Sequence, residues 1–264
     1  MLTNYHTHTL WCDGKDTPEA VVLSAIEKGF DAIGFSSHMA FPFCSSYVID
    51  PKKGEAYADE IRALKIKYAS RIKVHLGGEA DYIPAITTPE KSRYQHLGLE
   101  YLIGSVHCTV APSGEILWVD NTPDILMDGI KRLYGGDVKK FIREYFRLQR
   151  EIVRDFDFDF LAHPDLIRKF NSKYPFFDES EKWYISELEN TADAIALSGK
   201  KVEVNTGAIS RGWMSDAYPS KNFRDILRDR GVKFILSSDA HTAQTIDCAF
   251  DRFGECENFV SLFD

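Results

Sequence analysis

The sequence lacks the features that mark exported and membrane-bound proteins. Its five cysteines (Cys12, Cys44, Cys108, Cys248 and Cys256) are odd in number and contain no CxxC pair, which argues against a disulfide framework and favours a reducing cytoplasm. The N-terminus has no basic region or apolar signal core, and no apolar run reaches the length of a membrane span. We therefore expect a cytoplasmic protein that does not contact a membrane.

Positive charge is also scarce. Lys and Arg total 32 against 40 Asp and Glu, a net charge of -8, and no basic stripe is present. This argues against a long nucleic-acid track, so an anionic ligand would need a local group of cations or metal ions. A GxSxG elbow and a C-x5-R phosphatase loop are absent, and we expect Cys12 and Cys108 to be packing residues. The sequence does not fix the oligomeric state, and we expect a small-molecule substrate.

What the chain does contain is an alternation of apolar strand patterns and amphipathic helix patterns. The seven predicted strands cover residues 2–8, 31–36, 72–78, 99–106, 158–162, 201–205 and 232–237, with a further short strand at 116–119. Predicted helices include one that begins at Thr17-Pro18 and others at 53–70, 179–198, 221–230 and 249–259. No linker divides residues 1–264, so we predict a single α/β domain, a TIM-type barrel with seven strands, or alternatively a doubly wound open sheet.

Potential metal ligands follow these strands. His6 and His8 are two residues apart, so in an extended strand both imidazoles lie on one face. Further ligand-type residues follow the first, second, third, fourth, fifth and seventh strands, namely Asp13, His38, Glu79, His107, His163, Asp239 and His241. The strand C-termini of a parallel barrel open on one rim, where these residues would meet. Imidazole and carboxylate without thiolate suit zinc, iron(II) or manganese, and nine ligands imply two or three ions with a bridging carboxylate.

The motifs around these residues resemble one family in order and spacing. They are His6-Thr7-His8-Thr9 with Asp13-Gly14, Ser37-His38, Gly78-Glu79-Ala80-Asp81-Tyr82, Gly104-Ser105-Val106-His107, Ala162-His163-Pro164-Asp165-Leu166, Glu203-Val204-Asn205-Thr206-Gly207 and Ser238-Asp239-Ala240-His241. The chain resembles the PHP (polymerase and histidinol phosphatase) superfamily and, within it, the histidinol-phosphatase family. The resemblance implies a distorted (β/α)7 barrel with three divalent metal ions. It implies one site of His6, His8, Glu79 and Asp239, a second of Glu79, His107 and His163, and a third of Asp13, His38 and His241.

The resemblance also implies a substrate site. Arg168 and Arg211 would clamp the substrate phosphate, because a guanidinium binds phosphate through a planar, bidentate fork. Glu115, Trp118 and Asp120 follow His107 closely in the sequence and could face an aminium or imidazole group of the leaving alcohol, or could form a solvated hairpin. The segment from Gly207 to Trp213 is bounded by glycine and could close over a ligand.

The reaction expected from this resemblance is hydrolysis of L-histidinol phosphate to L-histidinol and inorganic phosphate, a step of histidine biosynthesis. A hydroxide that bridges two metal ions would attack phosphorus, and a protonated Asp239 or His241 could supply a proton to the leaving alkoxide. The main alternative is a phosphoesterase of the same superfamily acting on nucleotides, DNA or other small phosphoesters. A non-catalytic metal-binding module should have lost ligands, and an amidohydrolase should show a bridging lysine after a middle strand; neither is the case here.

Overall fold

Seven parallel strands form the central sheet of the computed structural model, which describes residues 1–43, 46–253 and 259–263. Their order is β1-β2-β3-β4-β7-β8-β9, and β5 and β6 form a separate antiparallel hairpin. The strands are β1 Thr3–Asn4, β2 Ala32–Phe35, β3 Lys73–Asp81, β4 Tyr101–Ser105, β5 Cys108–Val110, β6 Ile116–Trp118, β7 Phe160–Leu161, β8 Lys201–Asn205 and β9 Phe234–Ser237.

The first and last strands of this sheet meet, which closes it. The backbone N–H of His8 donates to the carbonyl oxygen of Ala240 at 2.8 Å, and Thr7 pairs with Ala240 in a parallel bridge. This confirms the predicted seven-stranded, distorted TIM-like barrel and rules out the alternative, a doubly wound open sheet. All strand C-termini consequently open at one end, the face that carries active sites in this class of barrel.

The described residues form eight α-helices, several of which pack against the strands. They are α1 Pro18–Glu27, α2 Gly54–Lys67, α3 Pro123–Tyr134, α4 Val138–Asp155, α5 Lys182–Ser198, α6 Gly207–Ser210, α7 Lys221–Asp229 and α8 Phe250–Phe253. The predicted start of the first helix is confirmed, since the Thr17 side chain accepts a hydrogen bond from the N–H of Ala20 at 3.2 Å. The last predicted helix, 249–259, is seen only as α8, and residues 254–258 lie outside the described residues. Among the described residues, no helix is both long enough and apolar enough to cross a bilayer.

The first strand is shorter than the predicted 2–8. After Asn4 the pairing is irregular: backbone bonds such as that from the N–H of Ser36 to the carbonyl oxygen of Thr7, at 3.0 Å, alternate with bonds made by side chains. The Asn4 side chain accepts from the N–H of His6 at 3.1 Å, and the Thr7 hydroxyl donates to the carbonyl oxygen of Gly34 at 2.8 Å. The segment therefore follows β2 without forming a regular ladder, and it still carries both histidines to the open end of the barrel.

Tyr101 fills the interior of the barrel. A Cβ atom on Gly77 would lie 2.2 Å from the Cζ atom of Tyr101, and a Cβ on Gly34 would lie 2.4 Å from its hydroxyl oxygen. Glycine at these two positions is what leaves room for the ring. The hydroxyl donates to the carbonyl oxygen of Tyr5 at 2.7 Å, so the ring is also fixed to the segment that leads to His6.

Three of the five cysteines lie within the described residues, and none of the three forms a disulfide bond. Cys12, Cys108 and Cys248 are free thiols, and Cys108 is buried in the hairpin, as a packing residue would be. Cys44 and Cys256 lie outside the described residues.

Candidate metal centre

All nine predicted ligands lie at the open end of the barrel, and Glu79 is at their centre. It lies within β3, which extends to Asp81 instead of ending at Gly78 as the sequence pattern suggested. One or other of its carboxylate oxygens lies between 3.0 and 3.5 Å from a ring nitrogen of each of five histidines, His6, His8, His38, His107 and His163. A carboxylate shared in this way is placed to bridge adjacent cations.

Two aspartates complete the cluster. The Oδ1 atom of Asp239 lies 3.2 Å from Nε2 of His8 and 3.7 Å from Nε2 of His6. The Oδ2 atom of Asp13 lies 3.2 Å from Nε2 of His241. Asp13 therefore faces the outer side of the cluster, and Asp239 faces the pair of histidines that follows β1.

The ligand atoms fall into four overlapping groups. In each group, one potential ligand atom per residue lies within 4.8 Å of the others. The first group is His8, Asp13, His38 and His241, and the second is His6, Glu79 and His163. The third is His6, His8 and Asp239, and the fourth is His38, Glu79 and His107. Together they include every predicted ligand. The first group contains the third site implied by the resemblance, with His8 added. Because four residues belong to two groups each, the groups describe neighbouring positions in one multinuclear cluster.

The cluster contains buried polar atoms that fit a metal. Among the described residues, five atoms that face the cluster have no hydrogen-bond partner: Nε2 of His6, Nε2 of His8, Oδ1 of Asp13, Nδ1 of His38 and Oε2 of Glu79. Unpaired buried polar atoms are costly and rare in native proteins, whereas a cation would satisfy several of them together. The donors are nitrogen and oxygen, the set that zinc, iron(II) and manganese accept.

The electrostatics of the cluster keep its acids ionised. Burial raises the pKa of Glu79, but His38, His6 and His107 outweigh this and hold the pKa well below its ordinary value. Burial likewise raises the pKa of Asp239, and Arg211 with the histidines lowers it well below the ordinary value. The ionised state is the one that a metal ligand requires, so Asp239 is better suited to hold a metal than to donate a proton.

The histidines divide into two kinds. Burial, together with the neighbouring His241 and His38, lowers the pKa of His8 to about 3. Burial also lowers the pKa of His38, but Glu79 and Asp13 outweigh it and raise the pKa to about 10. For His107, burial is outweighed by Asp81 and Glu79, which raise the pKa to about 9. Without metal, protons on these two rings take the place of cations, and metal binding must displace them.

Backbone strain coincides with two of the ligands. His163 has a φ of 21° and Asp239 a φ of 48°, values that non-glycine residues rarely adopt. Strained residues of this kind cluster at functional sites, where the surrounding structure holds them in place. Asp239 is held by Arg211, whose Nη1 donates to its carbonyl oxygen at 3.1 Å and whose Nη2 lies 3.0 Å from its Oδ2.

A cavity of about 560 Å³ lies directly over the cluster. Besides metal-ligand candidates, it is lined by Tyr47, Trp118, Asp120, Asn121, Leu166, Lys169 and Arg211. Trp118 and Asp120, two of the three residues predicted for the leaving-group side, therefore line the cavity. Glu115 does not line the cavity; it is half exposed on the β5-β6 hairpin, where it pairs with Arg132.

The two predicted phosphate arginines have different surroundings. Arg211 lines the cavity, whereas the side chain of Arg168 turns away from it. The Nε atom of Arg168 donates to Oε2 of Glu179 at 2.9 Å, and its Nη1 reaches the carbonyl oxygen of Ala217 at 3.5 Å. Arg168 therefore ties together the loops behind the cavity wall.

Lys169, the next residue, lines the cavity instead of Arg168. Its ammonium group donates to the carbonyl oxygen of Asp120 at 2.9 Å and lies 3.4 Å from Oδ2 of the same residue. Residues Leu166–Arg168 form a single 3-10 turn, in which successive side chains point about 120° apart. A shift of one position thus moves a side chain from the outside to the cavity, and no local pattern indicates which of the two cations, Arg168 or Lys169, faces inward.

Sequence reasoning missed Tyr47, which lies beside the predicted Trp118 on the aromatic side of the cavity. Tyr47 belongs to the loop that precedes α2, and its ring packs edge-on against His38, with centroids 5.2 Å apart, and against Trp118 at 5.5 Å. The aromatic residues of that loop were its only signal in the sequence. Tyr47 and Trp118 give the cavity an apolar wall opposite its charged floor.

Solved structures with the same fold include two bacterial proteins. A candidate histidinol phosphatase of Listeria monocytogenes has a TM-score of 0.83 at 21% identity, with 95% of this chain and 99% of that chain covered. A histidinol phosphate phosphatase of Lactococcus lactis, complexed with zinc, L-histidinol and phosphate, has a TM-score of 0.64 at 21% identity, covering 92% of this chain and 87% of that chain. At this identity the likeness establishes the fold.

Curated proteins of similar sequence have related names, and a family model covers most of the chain. A "Probable histidinol-phosphatase" of Deinococcus radiodurans is 29% identical over 249 residues, covering 91% of this chain and 86% of the relative. The histidinol-phosphatase of Bacillus subtilis is 24% identical over 266 residues, covering 95% and 97%. The PHP domain model matches residues 4–207, which include seven of the nine ligands, and this chain therefore belongs to the PHP domain family.

Proposed function

We propose that this protein is a metal-dependent phosphomonoesterase that hydrolyses L-histidinol phosphate to L-histidinol and inorganic phosphate. The observation that carries the proposal is the cavity itself: six of the nine predicted ligands line it, and its walls carry Arg211, Lys169, Trp118 and Asp120. Relatives that match over most of their length are named for this activity. A cytoplasmic location, as the cysteine pattern predicts, would suit a step of histidine biosynthesis.

The cluster would hold three divalent ions. The relative from Lactococcus lactis was solved with zinc, and nitrogen and oxygen ligands also accept iron(II) and manganese. We assign Glu79 to the shared position, because five histidines surround its carboxylate. When bound, such ions would lower the pKa of a water molecule and so supply a nucleophile for attack on phosphorus at neutral pH.

Arg211 and Lys169 would bind the phosphoryl group. Both line the cavity. The side chain of Lys169 is 11% exposed and that of Arg211 is 29% exposed, so Lys169 in particular would act in a partly desolvated setting, in which a cation interacts strongly with an anion. Arg211 also contacts Asp239, which ties the phosphate-binding group to the ligand cluster. The two cations would stabilise the charge that the phosphoryl oxygens carry in the transition state.

The leaving group would occupy the opposite wall. Trp118 and Tyr47 present aromatic surfaces that suit an imidazole ring. Asp120 supplies a carboxylate for an aminium or imidazole N–H, and its pKa is lowered: burial raises it, but Lys169, His107 and His163 outweigh burial. Since Asp239 is held ionised, His241, which also lines the cavity, is the predicted proton donor that remains for the leaving alkoxide, and it would act as one only while it does not itself hold an ion.

The test is release of inorganic phosphate by the purified protein, supplied in turn with zinc, manganese and iron(II). The substrates are L-histidinol phosphate, serine phosphate, a nucleotide and a short single-stranded DNA. We expect high kcat/KM on L-histidinol phosphate and far lower values on the rest. Better turnover of the nucleotide or the DNA would replace the proposed substrate and keep the metal centre. Absence of turnover with metals bound would contradict the enzyme itself.

A further inference from the structure

A carboxylate that is not one of the predicted ligands lies beneath the cluster. Glu203, in β8, is fully buried and accepts four hydrogen bonds. Its Oε2 accepts from Nδ1 of His6 at 2.8 Å and from the Ser237 hydroxyl at 2.6 Å. Its Oε1 accepts from the backbone N–H of His163 at 2.9 Å and from the side-chain amide of Asn205 at 2.7 Å. Each oxygen thus has two donors, and the donors come from four separate segments of the barrel.

The bond to His6 determines which ring nitrogen is free. An ionised carboxylate can only accept, so the Nδ1 atom of His6 must carry the proton. The Nε2 atom then points to the cluster, 3.2 Å from Oε2 of Glu79, and has no hydrogen-bond partner among the described residues. Only the tautomer with a proton on Nδ1 can offer a lone pair to a cation at this position.

The bond to His163 acts through the backbone. His163 has a φ of 21°, an unfavourable value that persists only where neighbouring groups hold the residue in place. Its N–H donates to Glu203, and in this conformation its Nε2 lies 3.2 Å from Oε1 of Glu79. His6, Glu79 and His163 form one of the four ligand groups. Glu203 therefore contacts both of the histidines in that group and does not touch the space that a cation would occupy.

We propose that Glu203 is a positioning residue that fixes the tautomer of His6 and the backbone of His163, and thereby sets the metal affinity of the site that these two histidines share with Glu79. The proposal rests on the metal centre of the proposed function and adds to it. Outer hydrogen-bond partners of metal ligands change metal affinity by about 10- to 100-fold when they are removed.

The variant Glu203→Gln tests this with little change in shape. Its amide NH2 must face one of the two donor pairs. If it faces His6, it donates to Nδ1 and moves the ring proton to Nε2, where the metal should bind. If it faces His163, it meets the backbone N–H and the Asn205 amide. That amide cannot simply turn over, because its oxygen already accepts from the N–H of Gly207 at 2.8 Å. Either arrangement should weaken the site.

A matched control is Ser237→Ala. It removes one hydrogen bond from the same oxygen of Glu203 and leaves the carboxylate, and hence the tautomer of His6, unchanged. Zinc affinity and stoichiometry would be measured for wild type and both variants by competition with a chromogenic chelator, and circular dichroism would check the fold. We expect Glu203→Gln to bind zinc at the shared site about 10- to 100-fold more weakly, and Ser237→Ala to remain within about threefold of wild type.

Equal zinc affinity in wild type and in folded Glu203→Gln would overturn the proposal while the metal centre stands. Failure of the wild type to bind zinc would instead contradict the centre itself. If Glu203→Gln does not fold, the tautomer can be read in zinc-loaded wild type from the 15N shifts of the His6 ring, assigned by their loss in His6→Gln. We expect a protonated Nδ1 and a metal-bound Nε2. Metal bound to Nδ1 would refute the inference.

Discussion

Lys169 and Arg168 are neighbours in the sequence, but Lys169 faces the cavity and Arg168 faces away from it. Replacing each of them with a neutral side chain therefore distinguishes an effect on substrate binding from an effect on the stability of the fold. Lys169 lines the cavity, with its side chain 11% exposed. Lys169→Met keeps the length of the chain and removes the charge. A hydrogen bond to a charged group contributes about 1.5–3 kcal/mol, and about 1.4 kcal/mol corresponds to a factor of ten. We therefore expect kcat/KM for L-histidinol phosphate to fall about 10- to 100-fold, mainly through KM.

Arg168→Gln should give the opposite result. The Arg168 guanidinium lies 3.8 Å from the fully buried carboxylate of Asp165 and donates to Glu179. Breaking a buried pair costs about 3–5 kcal/mol in the free energy of unfolding. The loss is limited because burial, only partly offset by Arg168, already raises the pKa of Asp165 to about 6, so the acid can become neutral. We expect a loss of about 3 kcal/mol in urea unfolding and a KM within about threefold of wild type.

Steady-state kinetics and urea unfolding on the same protein preparations decide between the two roles. Lys169→Arg is the control, since it keeps the charge and should recover most of the lost kcat/KM. The reasoning would be refuted by an unchanged KM in Lys169→Met together with a raised KM in Arg168→Gln. That result would mean that Arg168 is the phosphate ligand, as the sequence alone suggested.

Three further predictions concern the ligand cluster and Glu100, which directly precedes β4. Glu79→Gln should reduce bound metal, measured by elemental analysis, and abolish nearly all turnover while the circular dichroism spectrum is kept, because five histidines share this carboxylate. Zinc affinity, measured against a chelator, should fall from pH 8 to pH 6, since His38 and His107, with pKa values of about 10 and 9, must release protons when metal binds. The pKa of Glu100 is lowered to about 2, because bonds from His75, Lys65 and the N–H of Leu76 outweigh burial. Glu100→Gln should therefore cost about 1–2 kcal/mol at pH 7, allowing for solvent screening, and the difference in urea unfolding should disappear as the pH falls from about 4.5 to 2.

The sequence was sufficient to predict the barrel and the residues at its rim. Each ligand follows or ends an apolar run, and parallel strands bring such positions to one end of a barrel. Strand lengths were less predictable. Side chains take part in the pairing after the first strand: the Asn4 side chain accepts from the N–H of His6, and the Thr7 hydroxyl donates to the carbonyl oxygen of Gly34. In contrast, β3 continues through Glu79, whose backbone pairs with Ile103 of β4. Contacts of this kind depend on partners that a local pattern does not contain.

The orientation of each side chain at the rim depends on still more distant partners. His6 and Glu203 are 197 positions apart, yet their hydrogen bond decides which nitrogen of the histidine faces the cluster. A pattern of histidines at strand ends is the same for either tautomer, so the sequence predicts a ligand without predicting its donor atom. On the proposal above, a carboxylate that touches no cation therefore acts on metal affinity through the ligand that it holds. Residues of this kind are found by following hydrogen bonds outward from the cluster, and Asp81, which accepts from Nδ1 of His107 at 2.6 Å, occupies the corresponding position on the other side.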